Sequence, residues 1–209
     1  MVSVVDDTAC GRILAAFADL LDYPRPGIAE RAAECRALVA GETPRAARLL
    51  DDFLADLERI PPGQLEELYT GAFDLDTLSD LDATCYPYIG HHLLGESYKR
   101  STFMLELRRR YQAAGFEVEH ELPDHVVVML RFLARCTDPE LAEELVGDAI
   151  LPALSRMTRD GDEASIEGGG GRRVYLRLLE ALRLVLAEQL WPEAAARAAA
   201  SEIEPVEAA

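Results

Sequence analysis

The residues of this sequence best suited to chemistry fall in one short run, Glu121-Leu122-Pro123-Asp124-His125. A carboxylate that contacts an imidazole can orient the ring for general acid–base catalysis. Neighbouring residues on a helix point in different directions, however, so Asp124 and His125 need not touch. The run is equally typical of a helix start, because proline suits the first turn and an acidic side chain there complements the helix dipole. Two interpretations therefore stay open: a polar cluster that receives hydrogen-bond donors, and a helix start alone.

A second group of polar residues precedes this run, in the segment Gly95-Glu96-Ser97-Tyr98-Lys99-Arg100. Gly95 is suited to end one helix and Ser97 to cap the next. Glu96 lies three and four residues before Lys99 and Arg100, which permits a weak ion pair. Because a guanidinium group suits two-pronged contact with a carboxylate, we expect Arg100 to pair with an acid elsewhere in the chain and Lys99 to be solvated.

Metal and nucleotide chemistry find little support in the sequence. His91 and His92 are adjacent, so they face apart on a helix, and no His-x-x-x-His or Glu-x-x-His spacing accompanies them. A metal site that brings in His120 or His125 from elsewhere stays open. The four glycines at 168–171 lack the lysine and hydroxyl residue of a phosphate-binding loop. We therefore expect no catalytic residues, no bound cofactor and no metal ion.

The elements that position these residues are predicted to be helices. Alanine, leucine, glutamate and arginine dominate the composition, and valine, isoleucine and threonine are sparse. No stretch alternates polar and apolar residues over the length of a strand, and no repeat recurs at a fixed period. The sequence thus predicts an all-α fold, a single-domain helical bundle over residues 1–192, followed by a flexible acidic and alanine-rich tail at 193–209.

Caps and prolines divide the chain into predicted helices. Thr8 and Thr43 are suited to cap the first and third helices, and a fourth helix follows the break at Pro61. Further along, Pro152 is expected to kink or break its helix. The remaining expected elements are a helix at 28–39, an acidic loop at 74–83, a short helix at 85–94, helices at 97–114, 123–135 and 140–158, a loop at 159–171 and a final helix at 172–190.

The fourth helix carries an apolar stripe made of Leu65, Tyr69, Ala72 and Phe73. Such a stripe at helical spacing usually faces the core. Here the sequence becomes acidic directly after Phe73, beginning with Asp74, and this pattern also suits the edge of a groove.

The charge of the chain limits its partners. The formal net charge of −17 disfavours nucleic acids and anionic membranes, because both would be repelled. It suits a basic polypeptide partner. The four cysteines are widely spaced without a Cys-x-x-Cys pair, no apolar run is long enough to span a bilayer, and residues 1–7 lack a secretory signal. We expect a cytoplasmic protein.

Taken together, these motifs resemble the NarJ/TorD family of molybdoenzyme assembly chaperones, and most closely its nitrate reductase branch. The order and spacing agree over residues 65–134. Glu96 stands where the family pattern has aspartate, and residues 86–89 replace a more regular aromatic helix. The matching stretches are LYTGAFDL (68–75), HLLGESYKR (92–100), YQAAGF (111–116) and ELPDH (121–125).

The resemblance implies a cytoplasmic chaperone without enzymatic activity. Such proteins bind the N-terminal segment of a molybdopterin-containing catalytic subunit, here of the nitrate reductase alpha type. They hold the apo-subunit for insertion of the molybdenum cofactor before membrane attachment or export. These segments resemble twin-arginine leaders, basic and then apolar, so an acidic groove with an apolar floor would bind one as a helix.

The resemblance also implies roles for individual residues. Tyr69 and Phe73 would form the apolar floor of the groove. Arg100 would order the carboxylates of a negative rim. The acidic neighbours of His125 suggest the further hypothesis that this residue makes binding sensitive to pH near neutrality. The rim would consist of Glu96, Glu121 and Asp124. Substitution of Asp124 or Arg100 by alanine would then weaken peptide binding and leave the fold intact.

Other interpretations remain. The chain could serve a different molybdopterin oxidoreductase of the DMSO reductase family, or be a small helical regulator that binds a nucleotide or another ligand. The remaining alternatives are a helical enzyme, such as a hydrolase, that uses Asp124, His125 and a second histidine, and a helical scaffold without a specific client.

Overall fold

A computed structural model of the 209-residue chain describes residues 8–61, 63–73, 86–118, 120–164 and 170–203. Within those ranges every regular element is helical, and the one β-type pairing is an isolated antiparallel bridge between Tyr88 and His125. The predicted all-α fold is confirmed. None of the helices described combines the length and apolarity that crossing a bilayer requires.

The described residues contain eleven α-helices, numbered in chain order, and two of them run into short π-helical segments. The first four are α1 (Ala9–Leu21), α2 (Ile28–Val39), α3 (Pro44–Arg59) and α4 (Gln64–Phe73). The next four are α5 (Ile89–Leu94), α6 (Tyr98–Ala113), α7 (Val126–Leu133) and α8 (Pro139–Glu144). The π segment Leu145–Ile150 leads into α9 (Leu151–Ala164), α10 (Gly170–Val185) leads into the π segment Leu186–Leu190, and α11 is Pro192–Ile203.

The core forms where the apolar faces of these helices meet. Helix α10 packs against α3, α4 and α9, while α1 packs against α7 and α2. The residues that the helical periodicity of α1 predicts to face inward, among them Leu14 and Phe17, are buried. The largest buried side chains include Phe53, Phe132 and Tyr175.

The predicted caps are found at two of three positions. The Thr8 hydroxyl accepts a hydrogen bond from the N–H of Gly11 at 3.0 Å, and Ser97 caps α6 in the same way. Thr43 precedes α3 but does not cap it. Its buried hydroxyl donates instead to the side chain of Gln189 at 3.1 Å, so it joins α3 to the end of the α10 region.

The helix expected at 123–135 begins three residues later than predicted. Pro123 lies in the preceding turn, where its carbonyl accepts a hydrogen bond from the Tyr111 hydroxyl at 2.9 Å. Helix α7 starts at Val126, and His125 is its N-cap residue. The N–H of His125 donates to the carbonyl of Leu122 at 3.1 Å, so Pro123 is the second residue of a turn and does not open the helix.

The second half of the chain is more helical than predicted. The break expected near Pro152 is present as the π segment that precedes it, a known way of interrupting an α-helix. The loop expected at 159–171 is wrong at both ends, because α9 continues to Ala164 and α10 begins at Gly170. Glycine lowers helix stability without forbidding the helix, so a polar, glycine-containing stretch can still be helical.

The expected tail also contains structure. Helix α11 occupies Pro192–Ile203, and Ala194 is buried against the π segment at Gly147. Residues 192–203 are therefore helical, while the flexible tail expected at 193–209 and the domain boundary at residue 192 stay predictions. The acidic segment 74–83 and Cys85 lie outside the residues described. Of the cysteines within them, Cys35 is buried and none is disulfide-bonded.

Candidate functional site

A buried ion pair joins the two motifs that the sequence singles out. The Nε of Arg100 donates to Oδ2 of Asp124 at 2.9 Å, with Arg100 7% and Asp124 0% exposed. Nη1 of the same guanidinium group donates to the Glu96 carboxylate. The predicted pairing of Arg100 with a distant carboxylate is thus confirmed. The second Asp124 oxygen, Oδ1, is buried without a hydrogen-bond partner among the residues described.

The backbone around Asp124 is held by a short pairing with the segment before α5. The N–H of Ile89 donates to the carbonyl of Asp124 at 2.8 Å, and the N–H of Val126 donates to that of Pro87 at 2.7 Å. The adjacent Gly90 leaves room for the carboxylate, because a Cβ added there would lie 2.6 Å from Oδ2 of Asp124. This pairing engages the carbonyl of Asp124 and the N–H of Val126, which explains why α7 begins at Val126 and not at Pro123.

Tyr88 lies at the centre of the site. Its ring packs edge-on against the His125 ring with centroids 5.4 Å apart, and the Arg100 guanidinium carbon lies 5.4 Å from the Tyr88 centroid. Its hydroxyl donates to the Glu121 carboxylate at 3.5 Å. Burial raises the pKa of Tyr88, and the Glu121 and Asp124 carboxylates raise it further. The ring therefore stays neutral and connects the ion pair to the acidic surface.

His125 is buried in its neutral form. It is 5% exposed, and its Nδ1 accepts a hydrogen bond from the N–H of Val127 at 3.2 Å. Burial lowers the pKa of His125 below the usual range. Arg131 lowers it as well, against the opposing effect of the carboxylates nearby, Glu121, Asp22 and Asp124. No hydrogen bond joins its side chain to that of Asp124, so the two residues do not form the dyad that acid–base catalysis would require.

Two of the three carboxylates expected at the rim reach solvent. The Glu96 side chain is 75% exposed and accepts from Nδ1 of His91 at 3.1 Å. This hydrogen bond, together with Arg100, lowers the pKa of Glu96, which is therefore ionised at neutral pH. Glu121 is exposed as well, whereas Asp124 is fully buried. Asp124 thus organises the site from below and cannot itself meet a partner.

The aromatic residues of α4 form a cluster whose inner part is core. Phe73 is buried, and its ring lies 5.0 Å from the Tyr175 centroid. Tyr69 is partly exposed and packs 4.9 Å from Phe73 on one side and 5.5 Å from Tyr23 on the other. Of the expected floor, Tyr69 is the accessible part and Phe73 supports it from beneath.

Burial and neighbouring acidic groups both affect the pKa of the Tyr69 hydroxyl. Burial raises its pKa, and Asp22, Glu121 and Tyr88 add to the increase. The Tyr69 hydroxyl also donates to the carbonyl of Leu21 at 3.4 Å, next to Asp22, which pairs with Arg131 of α7. The aromatic cluster therefore lies beside the helix that His125 caps, while the grouping of all seven expected residues into one binding site stays a prediction.

Three residues of this region were not predicted. Tyr23 is 47% exposed and extends the aromatic surface beyond Tyr69, while Tyr88 and Gly90 build the site around Asp124. The sequence contains a weak signal for two of them, since Tyr23-Pro24 and Tyr86-Pro87-Tyr88 place aromatics beside prolines, away from helix interiors. The requirement at Gly90 depends on a residue 34 positions away and leaves no local signal.

The adjacent histidines His91 and His92, which are metal ligands by residue type, make hydrogen bonds within the protein. Nε2 of His92 donates to the carbonyl of Tyr86 at 2.8 Å, and His91 contacts Glu96. Across the ranges that the structure describes, no three His, Cys, Asp or Glu side chains are grouped to hold a metal ion.

The fold and the site together define a class: an all-helical bundle with an acidic, aromatic surface built over a buried Arg–Asp pair. Residues 37–163 match the family described as the nitrate reductase delta subunit. That span contains α3 to α8 and every residue expected at the site. The chain belongs to this family, the NarJ/TorD family.

Proteins similar to the chain include two curated relatives and a solved structure. The nitrate reductase molybdenum cofactor assembly chaperones NarJ of Escherichia coli K12 and of E. coli O157:H7 are each 30% identical over 139 residues, or 65% of this chain. The match spans 56% of each relative's length. A candidate redox enzyme maturation protein from Archaeoglobus fulgidus superposes with a TM-score of 0.53 at 22% identity, covering 83% of this chain and 91% of that one. This last likeness concerns the fold alone.

Proposed function

We propose that the chain is a molybdoenzyme assembly chaperone that binds the N-terminal segment of a catalytic subunit, of the nitrate reductase alpha type. The observation that carries the proposal is the group of side chains that reach solvent and comprises Tyr23, Tyr69, Tyr88, Glu96 and Glu121. It combines accessible aromatic rings with exposed carboxylates. The names of the curated relatives point in the same direction.

The chemistry of the surface suits a segment that is basic at one end and apolar at the other. Glu96 and Glu121 offer negative charge at exposed positions, while Tyr69 and Tyr23 offer ring surface. Charge complementarity of this kind directs a partner to the site and fixes its orientation, and burial of apolar area supplies affinity. An amphipathic helix with one basic end would satisfy both requirements.

The buried pair below gives this surface its shape. Arg100 holds Glu96 from one side and Asp124 from the other, while the Asp124 backbone anchors the segment that carries Tyr88. A surface whose supporting residues are locked in this way loses little conformational freedom when a partner binds. In this proposal the protein acts in the cytoplasm by binding, without catalysing a reaction, until the cofactor has been inserted into the client.

Calorimetric titration with the synthetic N-terminal peptide of the nitrate reductase catalytic subunit from the same organism tests the proposal. Tyr69→Ala and Glu121→Gln should each weaken binding severalfold, because one removes apolar contact and the other a charge. Leu105→Ala and Glu67→Gln are matched controls, since both residues are exposed on other surfaces. These controls should bind as the wild type does.

Capture of the whole subunit supplies the second arm. The protein should retain the intact apo-subunit and lose it when the N-terminal segment is deleted. Equal capture of the intact and the truncated subunit would contradict the proposal. Capture of a different molybdopterin oxidoreductase in place of nitrate reductase would identify another client of the same mechanism.

A further inference from the structure

A cavity of about 470 Å³ opens beside Tyr23, at the end of α4 opposite Phe73. It lies between the turn that joins α1 to α2 and the turn that joins α3 to α4. Most of its lining is apolar. The principal residues are Pro24, Ile28, Leu57, Ile60, Pro61 and Leu65.

The cavity is continuous with the candidate site. Leu65 and Tyr69 are four residues apart on α4 and therefore share one face of that helix, one turn from each other. Tyr23 bridges them from the other side, because its ring packs against Tyr69 at 5.5 Å and its hydroxyl donates to Glu66 at 3.1 Å. Glu66 also lines the cavity. One surface thus runs from Tyr69 past Tyr23 into the cavity.

The wall of the cavity is held in place by the chain itself. Arg31 donates hydrogen bonds to the carbonyls of Pro26 and Arg25 at 3.0 Å and 2.9 Å. Gly27 takes a left-handed backbone with φ of 83°, which closes the turn. A pre-formed apolar cavity of this kind binds a side chain without first having to order its own walls.

We infer that this cavity takes a large apolar side chain of the client's N-terminal segment, an anchor that sets the register and specificity of binding. The inference rests on the proposed function and adds a second contact to it. If the client binds as a helix along α4, a residue over Tyr69 and the anchor in the cavity are separated by about three or four positions. The basic end of the segment then lies toward Glu121, and its apolar part lies toward Pro24 and Leu65.

Filling the cavity tests the inference. Ala29 is exposed in the first turn of α2 and lines the cavity, so Ala29→Trp places a large ring inside it without removing an existing contact. Ala33→Trp is the matched control, one turn along the same helix at an exposed position outside the lining. Far-ultraviolet circular dichroism and melting of both variants check that the fold is retained.

The probe is the same synthetic N-terminal peptide of the catalytic subunit, with each large apolar residue replaced in turn by serine. Ala29→Trp should raise Kd about tenfold for the native peptide, roughly the contribution of one buried aliphatic side chain. It should have no further effect on the one peptide that lacks the anchor residue. Benzophenone placed at that position should cross-link to residues 24–29, 57–61 or 63–66.

The outcomes separate the inference from the proposed function. Normal binding by a folded Ala29→Trp variant, together with weakened binding by Tyr69→Ala, would overturn the cavity and leave the proposed function standing. A third outcome is that Ala29→Trp weakens the binding of every serine-substituted peptide by the same factor as that of the native peptide. The introduced ring would then act indirectly, and this result would also overturn the inference. Absence of binding by the wild-type protein would remove the proposed function and the inference together.

Discussion

At the scale of single residues, Arg100 and Asp124 keep their charges inside the protein because each stabilises the other. Removal of one partner from such a pair leaves a buried charge uncompensated, which typically costs about 3–5 kcal/mol. We therefore expect Asp124→Asn to lower the free energy of unfolding by about 3 kcal/mol, toward the lower end because Glu96 still contacts Arg100. Urea denaturation followed by circular dichroism measures this loss.

The control for this prediction is Glu96→Gln. Its side chain is largely exposed, and exposed ion pairs contribute little to stability, so the unfolding midpoint should hardly change. A stable Asp124→Asn variant would contradict the structural role of the pair. The expectation from sequence, that Asp124→Ala or Arg100→Ala would leave the fold intact, is replaced here because both residues are buried.

His125 makes stability depend on pH in a defined direction. Burial lowers its pKa in the folded protein, so the unfolded chain binds a proton at a higher pH than the folded one. The neutral ring contributes its stability fully above the unfolded pKa of about 6.5. This contribution is lost as the pH falls from that value through the folded pKa. Thermal melting between pH 7.5 and about 5 should therefore show a falling Tm.

A substitution that keeps the cap isolates this effect. Asn is among the best N-cap residues, so His125→Asn retains an acceptor for the N–H of Val127 while removing the titrating ring. The difference in stability between wild type and variant should shrink as the pH falls through this window. A constant difference would show that His125 does not carry the dependence. Because burial lowers the pKa of His125, the pH sensitivity of peptide binding expected from this residue should lie below neutral pH.

At the scale of elements, α11 is held by a close approach at Gly147. A Cβ added there would lie 3.2 Å from the Cβ of Ala194 and 3.4 Å from its carbonyl oxygen. Gly147→Leu should therefore push α11 away and destabilise the protein by about 1–3 kcal/mol, the usual effect of overpacking. Trp191, the single tryptophan and the residue before α11, should report the change as a red-shifted emission.

Gly71→Leu is the matched control, because Gly71 is helical and exposed with nothing within 4 Å of an added Cβ. It should leave the Trp191 emission unchanged and leave stability the same or slightly higher, since leucine is the better helix former. Unchanged emission in Gly147→Leu would mean that α11 does not depend on this contact.

The elements show which features the sequence could predict. Ser97 and Arg100 were predictable, because a cap and a guanidinium act through local spacing and simple chemistry. The start of α7 was predicted at Pro123 and lies at Val126, because the backbone there pairs with residues some 35 positions earlier. The requirement for glycine at position 90 could not be predicted for the same reason, because it arises from contact with the distant Asp124. Local signals predict helices well, whereas contacts between distant segments decide their ends and the geometry of the site.

At the scale of the whole molecule, the net charge of −17 should guide a basic peptide to the site. Helix α6 departs from this charge balance, with five basic residues and one acidic one. Its Lys99 and Arg108 make no ion pair with other described residues, and a separation of nine positions places them on opposite sides of the helix. Their positive charges are therefore spread around α6, and a basic segment should approach exposed carboxylates such as Glu121.

Electrostatic guidance of this kind acts on the rate of association and is screened by salt, with a Debye length of about 10 Å at 0.1 M. Stopped-flow measurements with the labelled N-terminal peptide should show an association rate that falls about tenfold between low and high salt. Glu121→Lys should lower that rate and its salt dependence more than Glu140→Lys, which makes the same charge change at an exposed position in α8. Tyr69→Ala should act mainly on dissociation, because the ring contributes contact and not charge. An association rate that is independent of salt, or equally affected by the two lysine variants, would mean that the acidic surface does not guide the peptide.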